Sequence, residues 1–314
     1  MKANLTILLL FGVCSIEAAD RAKLAANQAL RVDAPVAAFA TVGAAQIRPI
    51  VGLPGLLRWS EPLALTESFA RLSIAPGEQY AIGVSARREL VFLRLDASQS
   101  AVIARLSTEL DSVDQILFSP SGASVAVRSA AGQVALVTSL PASPKIADTW
   151  SGVRNVLALS DDGELSLVDD GAIRVREKDG KTLASLDKIS AAAFFPGSQR
   201  LIVVGAEGSI SFVENGAIQL VLESSSAAGA RQVLVSDSSN SAFLATAERL
   251  WTLDLSSLSL NAELVEPGNS VLHRTRVRGR VLLVNEASGE VQLVSAGAEA
   301  LQVDALRIPV EPVN

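Results

Sequence analysis

Short apolar runs, each broken by turn-forming residues, follow one another along most of this chain, and they recur with a period. Ile116-Leu117-Phe118 leads into the turn Ser119-Pro120-Ser121-Gly122, then Val125-Ala126-Val127, a second turn, and Val134-Ala135-Leu136-Val137. The phrase returns at Leu72-Ser73-Ile74 with Ala75-Pro76-Gly77, and at Leu157-Ala158-Leu159 with Ser160-Asp161-Asp162-Gly163. It returns again at Ala193-Phe194-Phe195 with Pro196-Gly197, at Val233-Leu234-Val235 with Ser236-Asp237, and at Val271-Leu272. These runs are too short for helices and suit strands buried on both faces, while Pro-Gly, Ser-Gly and Asp-Gly supply the backbone reversals.

Turn to turn, the copies lie about 35–45 residues apart, the length of one four-stranded propeller blade. One such sheet is marginal alone, and stacking in a ring buries both of its faces. The sequence therefore predicts an all-β fold, a β-propeller of four-stranded antiparallel sheets, with a pair of β-sandwiches as the structural rival. Six copies are visible. Residues 36–67 add two further strands, Ala37-Ala38-Phe39-Ala40-Thr41 and Gln46 to Gly52, and Arg307-Ile308-Pro309-Val310 offers a strand near the C-terminus. Joining the two ends in one blade removes an open sheet edge, so seven blades are expected, with six as the alternative.

The phrases Phe118-Ser119-Pro120-Ser121-Gly122 and Ile173-Arg174-Val175 resemble degenerate forms of those in WD-repeat and YVTN-type bacterial propellers. The resemblance covers roughly residues 69–306. It implies the propeller fold. The Gly-His and Trp-Asp signatures of the WD repeat are absent, and only Leu250-Trp251-Thr252-Leu253-Asp254 is similar to the second.

The first residues form a different pattern. Lys2 precedes the apolar stretch Leu5–Val13, and Ser15-Ile16-Glu17-Ala18-Ala19 follows it, the three-part form of a secretory signal. Cleavage after Ala18 is expected, because cleavage one residue later would set charged Glu17 at the −3 position. The domain reading is a signal peptide over 1–18, a tail over 19–35 and a propeller over 36–314, in a secreted or periplasmic protein. Cys14, the single cysteine, lies in the leader, so the mature chain would hold no disulfide. Phe11-Gly12-Val13 before it departs from the small residue that lipoprotein processing uses.

Nearly half of the chain, 49%, is apolar, yet after the leader no run approaches the roughly 18–20 residues of a membrane-spanning helix. A formal net charge of −6 argues against general affinity for nucleic acid. Catalytic signals are missing. A hydrolytic triad needs a histidine beside a nucleophile, and the one histidine, His273, has no carboxylate tied to it by spacing, so it reads as structural or exposed. Zinc needs several His or Cys ligands. Asp161-Asp162-Gly163 and Asp169-Asp170-Gly171 do not continue into a calcium loop and read as hairpin turns. Trp59, Trp150, Trp251 and Tyr80 are too scattered for a sugar cleft, with Trp251 read as core. No glycine-rich phosphate loop follows a strand. No cofactor and no metal are expected.

One stretch departs from its repeat. The sixth copy continues as His273-Arg274-Thr275-Arg276-Val277-Arg278-Gly279-Arg280, where its counterparts are apolar. While extended, Arg274, Arg276 and Arg278 would share one face, with Arg280 beyond the glycine. These four arginines are the candidate anion-binding patch; the alternative is a solvated turn paired with Glu286 or Glu290. The functional expectation is an exported, monomeric, non-catalytic propeller that binds another protein, an acidic one in the case of the patch. The rival is a lactonase- or hydrolase-like propeller, which requires several carboxylates converging at one mouth of the central channel.

Overall fold

The computed structural model describes residues 35–43, 45–52, 57–237, 240–262, 268, 270–275, 280–285 and 290–295. Seven antiparallel sheets follow one another in chain order. Blade 1 holds β1 (Val36–Val42), β2 (Gln46–Val51) and β3 (Arg58–Trp59), and blade 2 holds β4 (Phe69–Ile74), β5 (Tyr80–Ser85), β6 (Glu89–Leu95) and β7 (Ser100–Ser107). Blade 3 runs through β8 (Val113–Phe118), β9 (Val125–Ser129), β10 (Val134–Thr138) and β11 (Lys145–Trp150). Blade 4 runs through β12 (Asn155–Leu159), β13 (Leu165–Asp169), β14 (Ile173–Glu177) and β15 (Thr182–Leu186). Blade 5 has β16 (Ile189–Phe194), β17 (Leu201–Gly205), β18 (Ser209–Glu214) and β19 (Ala217–Glu223). Blade 6 has β20 (Gln232–Val235), β21 (Ser241–Ala245), β22 (Leu250–Asp254) and β23 (Ser259–Ala262), and blade 7 has β24 (Val271–Arg274), β25 (Arg280–Asn285) and β26 (Glu290–Ser295).

The apolar runs have a direct physical reason. In β25, Val281 and Leu283 pack toward blade 6, while Leu282 and Val284 pack toward blade 1. In β21, Ala242 and Leu244 face blade 5, and Phe243 and Ala245 face blade 7. A central strand is thus sandwiched between neighbouring blades, and alternation by period two delivers apolar side chains to both. Each fully buried Leu or Phe stabilises the fold by roughly 1.5–3 kcal/mol. The result is seven apolar clusters, one for each blade interface. The seventh joins Leu282, Val284 and Leu293 of blade 7 to Ala38, Ala40 and Ile50 of blade 1, which closes the ring.

The ring is therefore seven-bladed, and blades 1 and 7 each have three described strands. The expected closing strand near Arg307–Val310, the leader and the tail all lie outside the described residues.

Blades 1 to 5 share a register shift in the inner strand, as between Phe69 and Arg71 in β4 and between Val113 and Gln115 in β8. Such bulges add right-handed twist, which a blade needs to fan out from the axis. The Ser119–Gly122 turn is built as its residues suggest. Gly122 sits at φ 78°, Ser119 accepts the turn hydrogen bond from the Gly122 N–H at 3.0 Å, and the Tyr80 hydroxyl donates to the Gly122 carbonyl. Gly83 in β5 answers another need: a Cβ there would lie 2.3 Å from the Phe69 ring. Trp251, read as core, is half-buried against the cluster between blades 5 and 6.

Candidate functional site

The first strand of every blade lines a common central channel, a cavity of 440 Å³. Because the seven sheets are separate, the inner strands share no ladder with one another. Long polar side chains bridge three of the gaps. Arg71, Gln115 and Gln232 each stand four residues before the turn residue that ends their strand (Ala75, Ser119, Ser236). Arg71 Nη1 donates to the Asp114 carbonyl of blade 3 at 2.6 Å. Gln115 Nε2 donates to the Val156 carbonyl of blade 4 at 2.7 Å, and its Oε1 accepts from the Val156 N–H at 3.1 Å. Gln232 Oε1 accepts from the Leu272 N–H of blade 7 at 2.7 Å. Each amide or guanidinium replaces part of a missing strand-to-strand ladder.

The turns that end the inner strands gather at one mouth of the channel. There Asp161 ties three blades together: Oδ1 accepts from the Ser121 N–H at 2.7 Å and the Ser121 hydroxyl at 2.6 Å, and Oδ2 accepts from the Gly197 N–H at 2.7 Å. Its neighbour Asp162 accepts from Gln199 Nε2 at 3.0 Å. Burial acts to raise the Asp162 pKa, but hydrogen bonds from Ser160, Gln199 and the backbone prevail and lower it. The two Asp-Asp-Gly segments are hairpin turns, as expected, with Asp169 Oδ1 accepting from the Gly171 N–H at 2.9 Å. Sequence missed the reach of Asp161, because its partners lie one blade before and one blade after it.

Blade 7 carries the chemistry of the channel wall. Arg274, the last residue of β24, has a side chain only 9% exposed. Its guanidinium donates to Asp237 Oδ1 at 2.5 Å and to the Val235 carbonyl, both in blade 6. Burial lowers the Arg274 pKa from its ordinary value, against the charge and hydrogen bond of Asp237 and the charge of Asp161. The arginine is therefore paired one blade back; Glu286 and the Glu290 side chain, the neighbours that proximity in sequence suggested, lie outside the described residues. Of the other arginines in the series, Arg280 opens β25 beside the turn, while Arg276 and Arg278 lie outside the described residues. His273 also lines the channel, and its Nε2 is buried without a hydrogen-bond partner. Burial holds its pKa down to about 4.

Among the described residues, no group of three or more His, Cys, Asp or Glu side chains is placed to hold a metal ion, and no helix is long and apolar enough to cross a membrane. Among the described residues, three large apolar side chains are exposed: Ile146 in β11 of blade 3, and two in blade 5. Blade 5 ends in β19, where Ile218 and Leu220 are 51% and 53% exposed.

No protein-family profile matches this chain, and no curated protein does. Its shape is shared widely, with 1322 solved chains matching. One is a functionally unknown protein from Desulfotomaculum acetoxidans DSM 771, with a TM-score of 0.57 at 14% identity over 84% of this chain and 95% of that one. Another is KlHsv2 with its loop 6CD replaced by a Gly-Ser linker, with a TM-score of 0.55 at 11% identity over 86% and 98%. At these identities the likeness establishes the seven-bladed propeller fold and carries no function with it.

Proposed function

We propose that this chain is an exported, non-catalytic propeller that binds another protein, and that the outer edge of blade 5 is the contact. The observation that carries the reading is β19. It is seven residues long, it is the last strand of its sheet, and it holds Ile218 and Leu220 on one exposed face. Outer strands of proteins usually guard their free N–H and C=O groups with charge or brevity. β7 carries Arg105 and β11 carries Lys145, while β15 has five residues. β19 has no Lys, Arg or Pro before its closing Glu223, and its register with β18 shifts once, at Val221. An extended segment of a partner, apolar at alternate positions, matches such an edge by strand addition. An acidic stretch in the partner is the expected match for the arginine series, less Arg274, which already holds Asp237.

Export rests on the leader: intact mass of exported material should give a chain beginning at Ala19 or Asp20, and retention of Met1 would reject it. The rival hydrolase reading needs several carboxylates converging at one mouth of the channel; Glu78 lines the channel, while Asp161 and Asp237 already serve Ser121, Gly197 and Arg274. To test the contact, a photo-crosslinking residue replaces Gln219 in cells, with the same residue at Thr182 of β15 as control. A discrete adduct is expected at position 219 alone, abolished by Ile218→Lys with Leu220→Lys. No adduct, or one indifferent to both lysines, sinks the proposal.

A further inference from the structure

We infer that the partner segment added to β19 continues as a basic stretch, bearing Lys or Arg, in the acidic groove that crosses blade 4. The inference rests on the blade 5 contact and names the chemistry of its partner.

The register of β19 shows which way its exposed side chains face. Ile218 is paired with Val213, which packs into the cluster between blades 4 and 5. Ile218 and Leu220, two residues apart, therefore both stand on the blade 4 side of their sheet. The turn before β19 is Asn215-Gly216, and Asn215 lines an open groove of 710 Å³ that crosses blade 4 and reaches Ala147 and Asp148 of blade 3. Leu183 of β15 lines the same groove, and a Cβ on Gly216 would lie 3.0 Å from the Leu183 carbonyl. The open edge and the groove are thus one continuous surface.

The two parts differ in character. Asp148, Glu164, Glu177 and Asp179 line the groove, with Lys178 as the one cation among the lining residues. Lys178 holds Glu164 at 3.5 Å and Lys181 holds Glu177 at 3.3 Å, both as exposed pairs of the kind that contributes little to a fold. Asp148 accepts from the Trp150 indole at 2.6 Å and Asp179 from the Lys181 N–H at 3.0 Å, and neither makes an ion pair among the described residues. A concavity lined by one sign of charge concentrates ions of the other sign. What ties this one to a protein contact is its place, at the end of an exposed apolar edge that faces it. β19 begins at the groove and pairs antiparallel with β18. A partner strand that extends the sheet in the same antiparallel sense reaches the groove with its C-terminal end. The matching segment is apolar at alternate positions first and basic after them.

The probes are fluorescein-labelled peptides of alternating Thr and Ile, each followed by a lysine, serine or glutamate tail, with binding read by anisotropy. At low salt the lysine-tailed peptide should bind about tenfold tighter than the serine-tailed one, the value of a few exposed ion pairs, and the glutamate-tailed peptide weakest. At about 0.5 M salt the preference should fall to within about twofold. Glu164→Gln with Asp179→Asn should remove the preference and leave the serine-tailed peptide unchanged. Glu109→Gln with Glu248→Gln, which takes the same charge from outside the groove, should keep it. Ile218→Ser with Leu220→Ser should weaken all three peptides. Equal binding of the three tails, or an equal preference with the lysine tail moved to the N-terminus, overturns the inference and leaves the blade 5 contact standing. Lysine-tailed binding indifferent to the two serines also overturns it, since the groove would then act without the edge. No binding by any peptide overturns it too, while crosslinking at position 219 still judges the contact itself.

Discussion

Blade 5 and blade 7 share one architecture and put their unusual side chains at opposite ends of it. The inner strand of blade 5 gives the channel Ala191, Ala192 and Ala193, and its outer strand bares Ile218 and Leu220. The inner strand of blade 7 gives the same channel His273 and Arg274. Their middle strands, β17 and β25, are alike: Leu201-Ile202-Val203-Val204 and Val281-Leu282-Leu283-Val284, all buried. The difference teaches where this fold is constrained. A middle strand is buried by two neighbouring blades and has no chemical freedom. The first strand meets the channel and the last meets solvent, so those positions are open to function.

The sharpest way to break the comparison is at one height in both blades. Phe194 and Arg274 each precede the turn residue of an inner strand, one held by packing and the other by an ion pair. Phe194→Ala should cost about 4 kcal/mol through its cavity. Arg274→Ala should cost about 3 kcal/mol by stranding Asp237, and a second change, Asp237→Ala, should restore part of it. Chemical denaturation checks both. An Arg274→Ala protein as stable as wild type would show that its ion pair is solvated. Next comes Asp161→Ala, which unties the turns of blades 3, 4 and 5 and should cost about 2 kcal/mol. A loss under half of that would mean the three turns hold without it.

The histidine sharpens the contrast through pH. Its folded pKa, near 4, lies below the ordinary 6.5, so the unfolded chain takes up the proton first as pH falls. The stability at stake is fully present above about pH 6.5 and is lost progressively toward pH 4, at up to about 1.4 kcal/mol per pH unit. His273→Phe should flatten the stability curve between pH 6.5 and 5, above the range where carboxylates titrate. Identical slopes in the two proteins would contradict the burial. The smallest effect belongs to blade 5: Ile218→Lys and Leu220→Lys should change stability by less than about 0.5 kcal/mol each while removing the partner adduct. A larger loss would make that face structural.

The fold was legible in the sequence because its strongest signals are local. Ser119-Pro120-Ser121-Gly122 specifies its own turn, and Val134–Val137 its own buried strand. Seven blades followed from six visible copies and the two strands after residue 36. The site was legible only as an anomaly. The departure of His273-Arg274 from an apolar repeat marked blade 7, but the sequence tied Arg274 to nearby acids. Its partner Asp237 lies 37 residues back, one blade away, a pairing that only the ring creates. Asp161 was read correctly as a turn residue, and its service to both neighbouring blades depends on the same geometry. The exposure of Ile218 and Leu220 was hidden for the opposite reason: Ile218-Gln219-Leu220-Val221-Leu222 reads like any buried run, and only its place as the last strand leaves it open.

The account rests most heavily on the burial of one imidazole whose Nε2 has no hydrogen-bond partner. Titrating that imidazole by 15N NMR in the [15N]histidine-labelled protein measures this directly, with no variant and no ligand. The prediction is a single neutral imidazole from pH 8 down to about 5, protonating near 4. A midpoint at the ordinary value of 6.5 would mean that water reaches His273 freely, and the channel would then be a solvent passage.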